Sequence, residues 1–117
     1  MPKGIRVVPQ IMHESDWKQL RKIIPEVEGR YIKEKNERIV ELLTSAEGNE
    51  ADKFWKAFNY MKKETKILRD CLGDLRRSQF YIIITVMYNN GMLRDDDIKL
   101  FSETVQRHIS RLHEIND

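Results

Sequence analysis

The sequence lacks most of the features that mark secreted and membrane-spanning proteins. Its single cysteine, Cys71, cannot form a disulfide within the chain, which favours a reducing compartment. The longest apolar run, residues 80–88, is about half of the roughly 20 residues that a membrane-spanning helix needs. The N-terminus has no apolar run long enough for a signal sequence. We therefore expect a cytoplasmic protein without a membrane anchor.

Motifs that carry catalytic or metal chemistry are also missing. The chain has five glycines, and none of them forms a Gly-rich phosphate loop or a Gly-x-Ser-x-Gly nucleophile motif. His108 and His113 are five residues apart, not the four typical of helical zinc sites. The carboxylates of Asp95, Asp96 and Asp97 would point about 100° apart on a helix, where they suit its N-terminal dipole better than a metal ion. We expect no enzyme activity, no metal and no cofactor.

Length and charge indicate one small domain without a strong electrostatic bias. The 117 residues match a common domain size, and 21 basic residues nearly balance 19 acidic ones, for a net charge of +2. This balance alone gives little reason to expect nucleic acid as a partner. Because residues 1–13 contain two prolines, we expect an extended arm there, followed by a single helical domain over residues 14–117.

Helix signals divide the first half of the chain. Ser15 is a suitable N-cap for a first helix, which we expect Pro25 to end or kink; a second helix then runs to about Leu43. Asn49 is the predicted N-cap of the next helix, and Asp52 stands where the partner of a capping box would be.

The second half contains two more predicted helices. Residues 79–90 are rich in β-branched side chains, but a lone strand would have no sheet to join, so we predict a buried helix with its C-cap at Gly91. A last helix should begin at Asp95 and continue unbroken through Leu112, because apolar residues share one face along it. The sequence therefore predicts an all-α fold, a bundle of four or five helices.

The clearest pattern in the chain is an apolar heptad repeat in its middle. Residues at alternating spacings of three and four continue for roughly 25 residues, or about 38 Å of helix. We call them the heptad seam: Ala51, Phe54, Phe58, Met61, Thr65, Leu68, Leu72 and Leu75. The repeat predicts one continuous helix, over residues 50–77, with its seam buried.

Basic residues flank the seam. On a continuous helix they fall within about 80° of one another. We call them the basic stripe: Lys62, Lys66, Arg69 and Arg76. Three interpretations stay open, namely a solvated face that covers the edge of the core, a surface for an acidic protein, and a surface for phosphates.

The C-terminal third resembles the recognition helix of winged helix-turn-helix repressors. Residues 101–114 follow the Ser/Thr-Val-x-Arg-His-hydrophobic-x-x-Leu pattern of that helix. The resemblance implies that Thr104, Gln106, Arg107 and Ser110 face bases or phosphates in the major groove. It departs from the family because residues 101–104 leave no room for the turn that should precede the helix.

Two classes of function follow. The first is a non-catalytic interaction module, an adaptor, inhibitor or accessory factor, that binds a protein partner or its own copy as a homodimer. Its predicted binding residues are Phe54, Trp55, Phe58, Met61, Lys62, Lys66 and Arg69. The alternative is a small DNA- or RNA-binding regulator. Its predicted binding residues are Lys62, Lys66, Arg69, Arg76, Arg77, Gln106, Arg107 and Arg111.

Overall fold

A computed structural model describes residues 11–116, which form five α-helices and no strand. The helices are α1 (Glu14–Thr44), α2 (Glu50–Leu72), α3 (Phe80–Asn89), α4 (Asp95–Ile98) and α5 (Glu103–Asn116), and a 3-10 turn (Arg77–Gln79) precedes α3. The predicted all-α bundle is confirmed. The predicted extended arm, residues 1–13, lies almost entirely outside the described residues.

The first helix is a single element, so the alternative that Pro25 ends one helix and begins a second is wrong. The helix begins at Glu14, one residue before the expected cap. Proline removes only its own N–H bond to the preceding turn, and Pro25 lies on the exposed side, where water can solvate the freed carbonyl group. Leu20, Val27 and Tyr31 are buried on both sides of it, so both halves of the helix pack on the core.

The second helix begins as predicted and ends early. The Asn49 side chain accepts from the Asp52 N–H at 2.8 Å, and the Asp52 carboxylate accepts from the Asn49 N–H at 3.1 Å, which confirms the capping box. The helix stops at Leu72, and Arg76 has extended backbone angles. The predicted helix over residues 50–77 is therefore five residues too long.

Residues 80–89 form the predicted helix α3, with one face open to solvent. Phe80, Ile84 and Met87 are buried in the core, whereas Ile82 is exposed. Gly91 has a φ of 78°, and the N–H groups of Gly91 and Met92 bond back to the carbonyls of Tyr88 and Met87 at 3.1 and 2.9 Å. This Schellman arrangement confirms the predicted C-cap.

The last helix is broken, contrary to the prediction of one helix from Asp95 through Leu112. The break covers residues 99–102. At this break the Ser102 N–H and hydroxyl donate to α1 and not within a helix. The buried Asp16 carboxylate accepts from the Ser102 N–H at 2.9 Å and from the Ser102 hydroxyl at 2.6 Å. Ser102 directly precedes α5, so the first turn of α1 positions the start of that helix.

The core joins α1 to the C-terminal helices and takes little from α2. Its buried members are Trp17, Leu20, Ile23, Val27, Tyr31, Cys71, Phe80, Ile83, Ile84, Met87, Met92, Leu93, Ile98, Phe101, Val105 and Ile109. Cys71 is the α2 residue among them. Along α1, no member lies beyond Tyr31.

The molecule is consequently elongated. Its radius of gyration is 18.0 Å, against about 13 Å for a compact domain of this length, and its extents are 61 × 33 × 24 Å. The end of α1 and the start of α2 extend away from the core as an antiparallel helical hairpin. We call residues 32–63 the hairpin arm.

An ion pair attaches α4 to α1. Arg30 Nη2 lies 2.6 Å from Asp97 Oδ2 and also donates to the Met92 carbonyl at 3.0 Å, and Asp97 accepts from the Arg94 N–H at 2.7 Å. Burial alone would raise the pKa of the Asp97 carboxyl. The hydrogen bonds from Arg30 and from the Arg94 backbone outweigh that effect and hold this pKa below its ordinary value.

This ion pair predicts a loss of stability in acid. A carboxyl whose pKa is lower in the folded chain than in the unfolded one stabilises the fold above the ordinary pKa of about 3.9, and the stabilisation is lost as pH falls through the folded value. We expect Asp97→Asn to reduce the free energy of unfolding at neutral pH. The difference in this free energy between the variant and the parent chain should become smaller as the pH falls towards 3. Urea unfolding over this range measures it. Asp96→Asn, at an exposed site, is the matched control, and a difference independent of pH would contradict the prediction.

Asp16→Ala should destabilise the fold by about 2 kcal/mol, because it leaves the Ser102 N–H and hydroxyl without their buried acceptor. Urea unfolding measures the change, with Asp96→Ala as a control for loss of an exposed carboxylate. Equal effects of the two substitutions would show that the Asp16 contact does not hold α5.

Candidate protein-binding surface

Large apolar side chains are exposed along the α2 side of the hairpin arm. Phe54 and Trp55 are each 57% exposed, Phe58 44% and Met61 43%. We call these four residues the aromatic end. Val40 and Leu43 on α1 are exposed as well, so six of the nine large hydrophobic residues exposed in the described part of the chain lie on this arm. Within the chain the first half of the heptad seam is therefore exposed, and its predicted burial would require a partner or a second copy.

The seam is exposed because α2 packs on a different face. Its buried residues, Ala57, Glu64 and Cys71, recur every seven positions. Each precedes a seam residue by one position, which is a rotation of about 100° around the helix. Leu68, Leu72 and Leu75 are half-buried near the core, whereas the seam from Ala51 to Thr65 faces solvent.

A polar contact at the centre of the helix pair sets this rotation. The Tyr31 hydroxyl donates to the Glu64 carboxylate at 2.5 Å, and both side chains are buried. Burial first, and then the hydrogen bond that Tyr31 donates to Glu64, raise the pKa of the Tyr31 hydroxyl, which stays protonated as a donor. An apolar pattern could not reveal a face that has a glutamate at its centre.

The aromatic end is a cluster of edge-to-face pairs. The Phe54 and Trp55 rings lie 5.0 Å apart at 90°, and the Trp55 and Phe58 rings lie 5.7 Å apart at 84°. Such pairs contribute about 0.5–1.5 kcal/mol each beyond the area they bury. The rings therefore hold one another in place while half of their surface stays open.

Only three of the four residues of the basic stripe lie on one surface. Lys62, Lys66 and Arg69 are exposed and line an open groove of about 380 Å³ with Asp70, which lies 3.9 Å from Lys66 Nζ. Arg76 does not share this face, because α2 ends before it. The structure therefore brings together three of the four stripe residues.

Arg76 and Arg77 are each paired with an acid. The Arg76 guanidinium donates to both oxygens of Asp74 at 2.7 and 2.8 Å, and that of Arg77 donates to both oxygens of Glu14 at 3.0 and 2.8 Å. These hydrogen bonds raise the pKa of both arginines, whose charge is compensated within the chain. Neither arginine offers an uncompensated charge to phosphate.

The predicted recognition helix corresponds to α5, in altered form. Residues 99–102 form a turn directly before this helix, so the expectation that the chain has no room for such a turn is wrong. The helix before the turn, α4, has only four residues, and Gln106 Nε2 donates to the Phe101 carbonyl at 3.0 Å. Arg107 and Arg111 are exposed. They lie on α5 rather than on the face of α2 that carries Lys62.

The acidic residues of α4 belong to separate contacts. Asp95 accepts from the Tyr88 hydroxyl at 2.7 Å, Asp97 pairs with Arg30, and Asp96 lies 3.4 Å from Lys99 Nζ. Across residues 11–116, no three His, Cys, Asp or Glu side chains are grouped as metal ligands. Cys71 is buried, and burial, followed by the charge of Asp70, raises its pKa to about 11.

A small groove between α3 and α5 was not anticipated from the sequence. Tyr81, Ile82, Val86 and His108 line about 220 Å³ of mainly apolar surface with Thr85. Thr85 Oγ1 donates to the Tyr81 carbonyl at 2.7 Å and therefore accepts from His108 Nε2, also at 2.7 Å. Burial, and then the charge of Arg111, lower the pKa of His108. The contact fastens α5 to α3.

Comparison with known proteins adds no family. No family model, curated protein or solved structure matches the chain. Within the described residues, no helix is both long and apolar enough to span a bilayer. Function is therefore argued from the hairpin arm itself.

Proposed function

We propose that this chain is a non-catalytic interaction module, which binds another protein surface by burying the aromatic end of its hairpin arm. The observation that carries the proposal is the exposure of Phe54, Trp55, Phe58 and Met61 together on an arm that extends beyond the core. Contiguous apolar surface of this kind is typical of protein interfaces.

The exposed area of the aromatic end would supply a large part of a binding free energy. Large aromatic side chains present about 150–250 Å² each, so the aromatic end exposes roughly 400 Å². At about 25 cal/mol per Å², its burial would contribute about 10 kcal/mol before the costs of association. Those costs are about 4–15 kcal/mol, so the partner must contribute further contacts.

The basic residues beside this surface would guide an acidic partner. Lys62, Lys66 and Arg69 lie on the solvent side of α2, and Trp55 shares their side of the helix at 100° per residue. Charges at the rim of an interface mainly increase the association rate and select the partner. They add less to affinity than the aromatic end does.

The polar clusters of the core support a structural rather than a catalytic role. Asp16 with Ser102, Arg30 with Asp97, and Tyr31 with Glu64 each join two parts of the fold. Each of these side chains has a partner that explains its position. We therefore assign the chain no reaction.

A nucleic-acid regulator is the second candidate. It is favoured by the exposed Lys62, Lys66 and Arg69 and by the turn before α5. It is weakened by the internal pairing of Arg76 and Arg77 and by the net charge of only +2. Binding to phosphates would depend steeply on salt, whereas burial of the aromatic end would not.

Site-specific photo-cross-linking tests the proposed function. A benzoylphenylalanine in place of Phe54 should form adducts with protein in cells that express the chain, because this side chain enters the interface. The same group in place of Leu100, which is 58% exposed and lies outside the arm, is the matched control. In parallel, fluorescence anisotropy with duplex DNA and with RNA should show weak binding at about 50 mM and about 200 mM salt.

Two results would contradict the proposed function. One is the absence of protein adducts specific to position 54. The other is salt-sensitive nucleic-acid binding that the Lys62→Ala/Lys66→Ala/Arg69→Ala variant abolishes, which would establish the regulator instead.

A further inference from the structure

We propose that the occupant of the aromatic end is a second copy of this chain, with two hairpin arms packed antiparallel about a two-fold axis into an intermolecular four-helix bundle. This inference rests on the proposed function and commits it to one partner. Three observations carry it: a second uncharged stripe on α1, the placement of both stripes on one flank, and the distribution of charge along the arm.

The stripe on α1 is as regular as the seam on α2. Six residues of α1 recur at spacings of 4, 3, 4, 3 and 4, and none is charged. They are Pro25, Gly29, Ile32, Asn36, Ile39 and Leu43. Nine of the other thirteen residues between positions 25 and 43 are charged. The absence of charge from the stripe is therefore not explained by a low content of charged residues in this segment. Heptad spacing on both helices is the pattern of a bundle in which each packs against further helices.

Both stripes lie on the same flank of the hairpin. Tyr31 and Ala57 are buried between the two helices, and the stripe residues Ile32 and Phe58 each follow by one position. One position along a helix is a rotation of about 100°, so each stripe is turned by this angle from the side that faces the other helix. Because the two helices are antiparallel, the same rotation on each leads to the same flank of the pair. The opposite flank is polar, because Arg38, Glu41, Lys53 and Lys56 line a cavity of about 200 Å³ there with three other residues.

Gly29 supports close approach of another helix on this flank. A Cβ atom at this position would meet nothing within 4 Å, so packing within the chain gives no reason for a glycine there. Glycine inside a helix costs about 0.5–1 kcal/mol relative to alanine. A neighbouring backbone from a second copy would supply a reason.

The charge distribution favours the chain's own copy over another partner. A two-fold interface places a surface against itself, which uncharged stripes tolerate without repulsion. Residues 45–52 hold three acids and no base, whereas residues 62–69 hold four bases and one acid, the buried Glu64. Antiparallel arms therefore bring the acidic tip of each copy to the basic section of the other.

This arrangement also fixes a register. Phe58 of each copy packs on the partner's Phe58 at the two-fold axis, so two seam residues lie at the same level when their numbers add up to 116. Ala51 then meets the partner's Thr65, so small residues pair with small ones. Counting the aromatic end and Leu43, each copy buries roughly 500 Å². The pair then buries about 1,000 Å², which reaches the lower limit for a specific interface.

Sedimentation of the purified full chain over a range of concentrations tests the dimer. We expect a dimer mass at high concentration, and Phe58→Asp should raise the dissociation constant at least about thirtyfold. Leu100→Asp, a matched exposed site outside the arm, should leave it unchanged. Circular dichroism of each variant confirms that the helices remain, since Phe58 is not a member of the core.

Cysteine substitutions along the seam test the register. Phe58→Cys should form a disulfide-linked dimer on mild oxidation and Leu100→Cys should not, while the native Cys71 is buried. Ala51→Cys combined with Thr65→Cys should likewise link two copies, whereas Ala51→Cys alone should not.

The outcomes separate the two proposals. A chain that stays monomeric at high concentration, yet forms protein adducts through position 54 with another protein, overturns the second copy and keeps the interaction module. A monomer without such adducts overturns both. A dimer in which Phe58→Asp has no effect also overturns this inference, because its interface would lie elsewhere.

Discussion

The buried contact between Tyr31 and Glu64 is the constraint on which the surface of this protein depends. It lies where the hairpin arm leaves the core, and it holds α2 with Ala57, Glu64 and Cys71 towards α1. A carboxylate buried with its hydrogen bond made is tolerated, whereas one left without a partner would be costly. The helix therefore cannot rotate to bury its heptad seam without exposing this pair, and the seam remains on the outside.

The rest of the architecture divides into a core and an arm with different requirements. Around the core, α1, α3, α4 and α5 share apolar side chains and are joined by two buried or half-buried polar links, Asp16 to Ser102 and Arg30 to Asp97. The arm has no comparable interior, and Ala57 is the buried hydrophobic residue it contributes. Its apolar flank is exposed to solvent, and we propose that a second copy of the chain covers it.

The sequence was most informative where a feature is local. The capping box at Asn49, the Schellman cap at Gly91 and the helix over residues 80–89 follow from nearby residues and were predicted correctly. The errors at Pro25 and at residues 99–102 have long-range causes, since core packing continues α1 and Asp16 sets the start of α5. The heptad pattern identified the apolar residues of the candidate site but did not predict that they are exposed. Periodicity alone does not show that α2 packs through the face with the buried Glu64 and not through its apolar seam. The uncharged stripe on α1 was overlooked, although its spacing is visible in the sequence.

The central claim, that a second copy of the chain covers the aromatic end, is tested most directly by the accessibility of Trp55 to a quencher. The chain's other tryptophan, Trp17, is buried in the core and provides a constant background. The measurement is acrylamide quenching of tryptophan fluorescence in the purified chain, from high micromolar concentration down to the nanomolar range, with Trp55→Phe as the reference. We expect weak quenching of Trp55 at high protein concentration and stronger quenching on dilution, because separation of the two arms exposes Trp55. Quenching that is strong and constant at every concentration would contradict it.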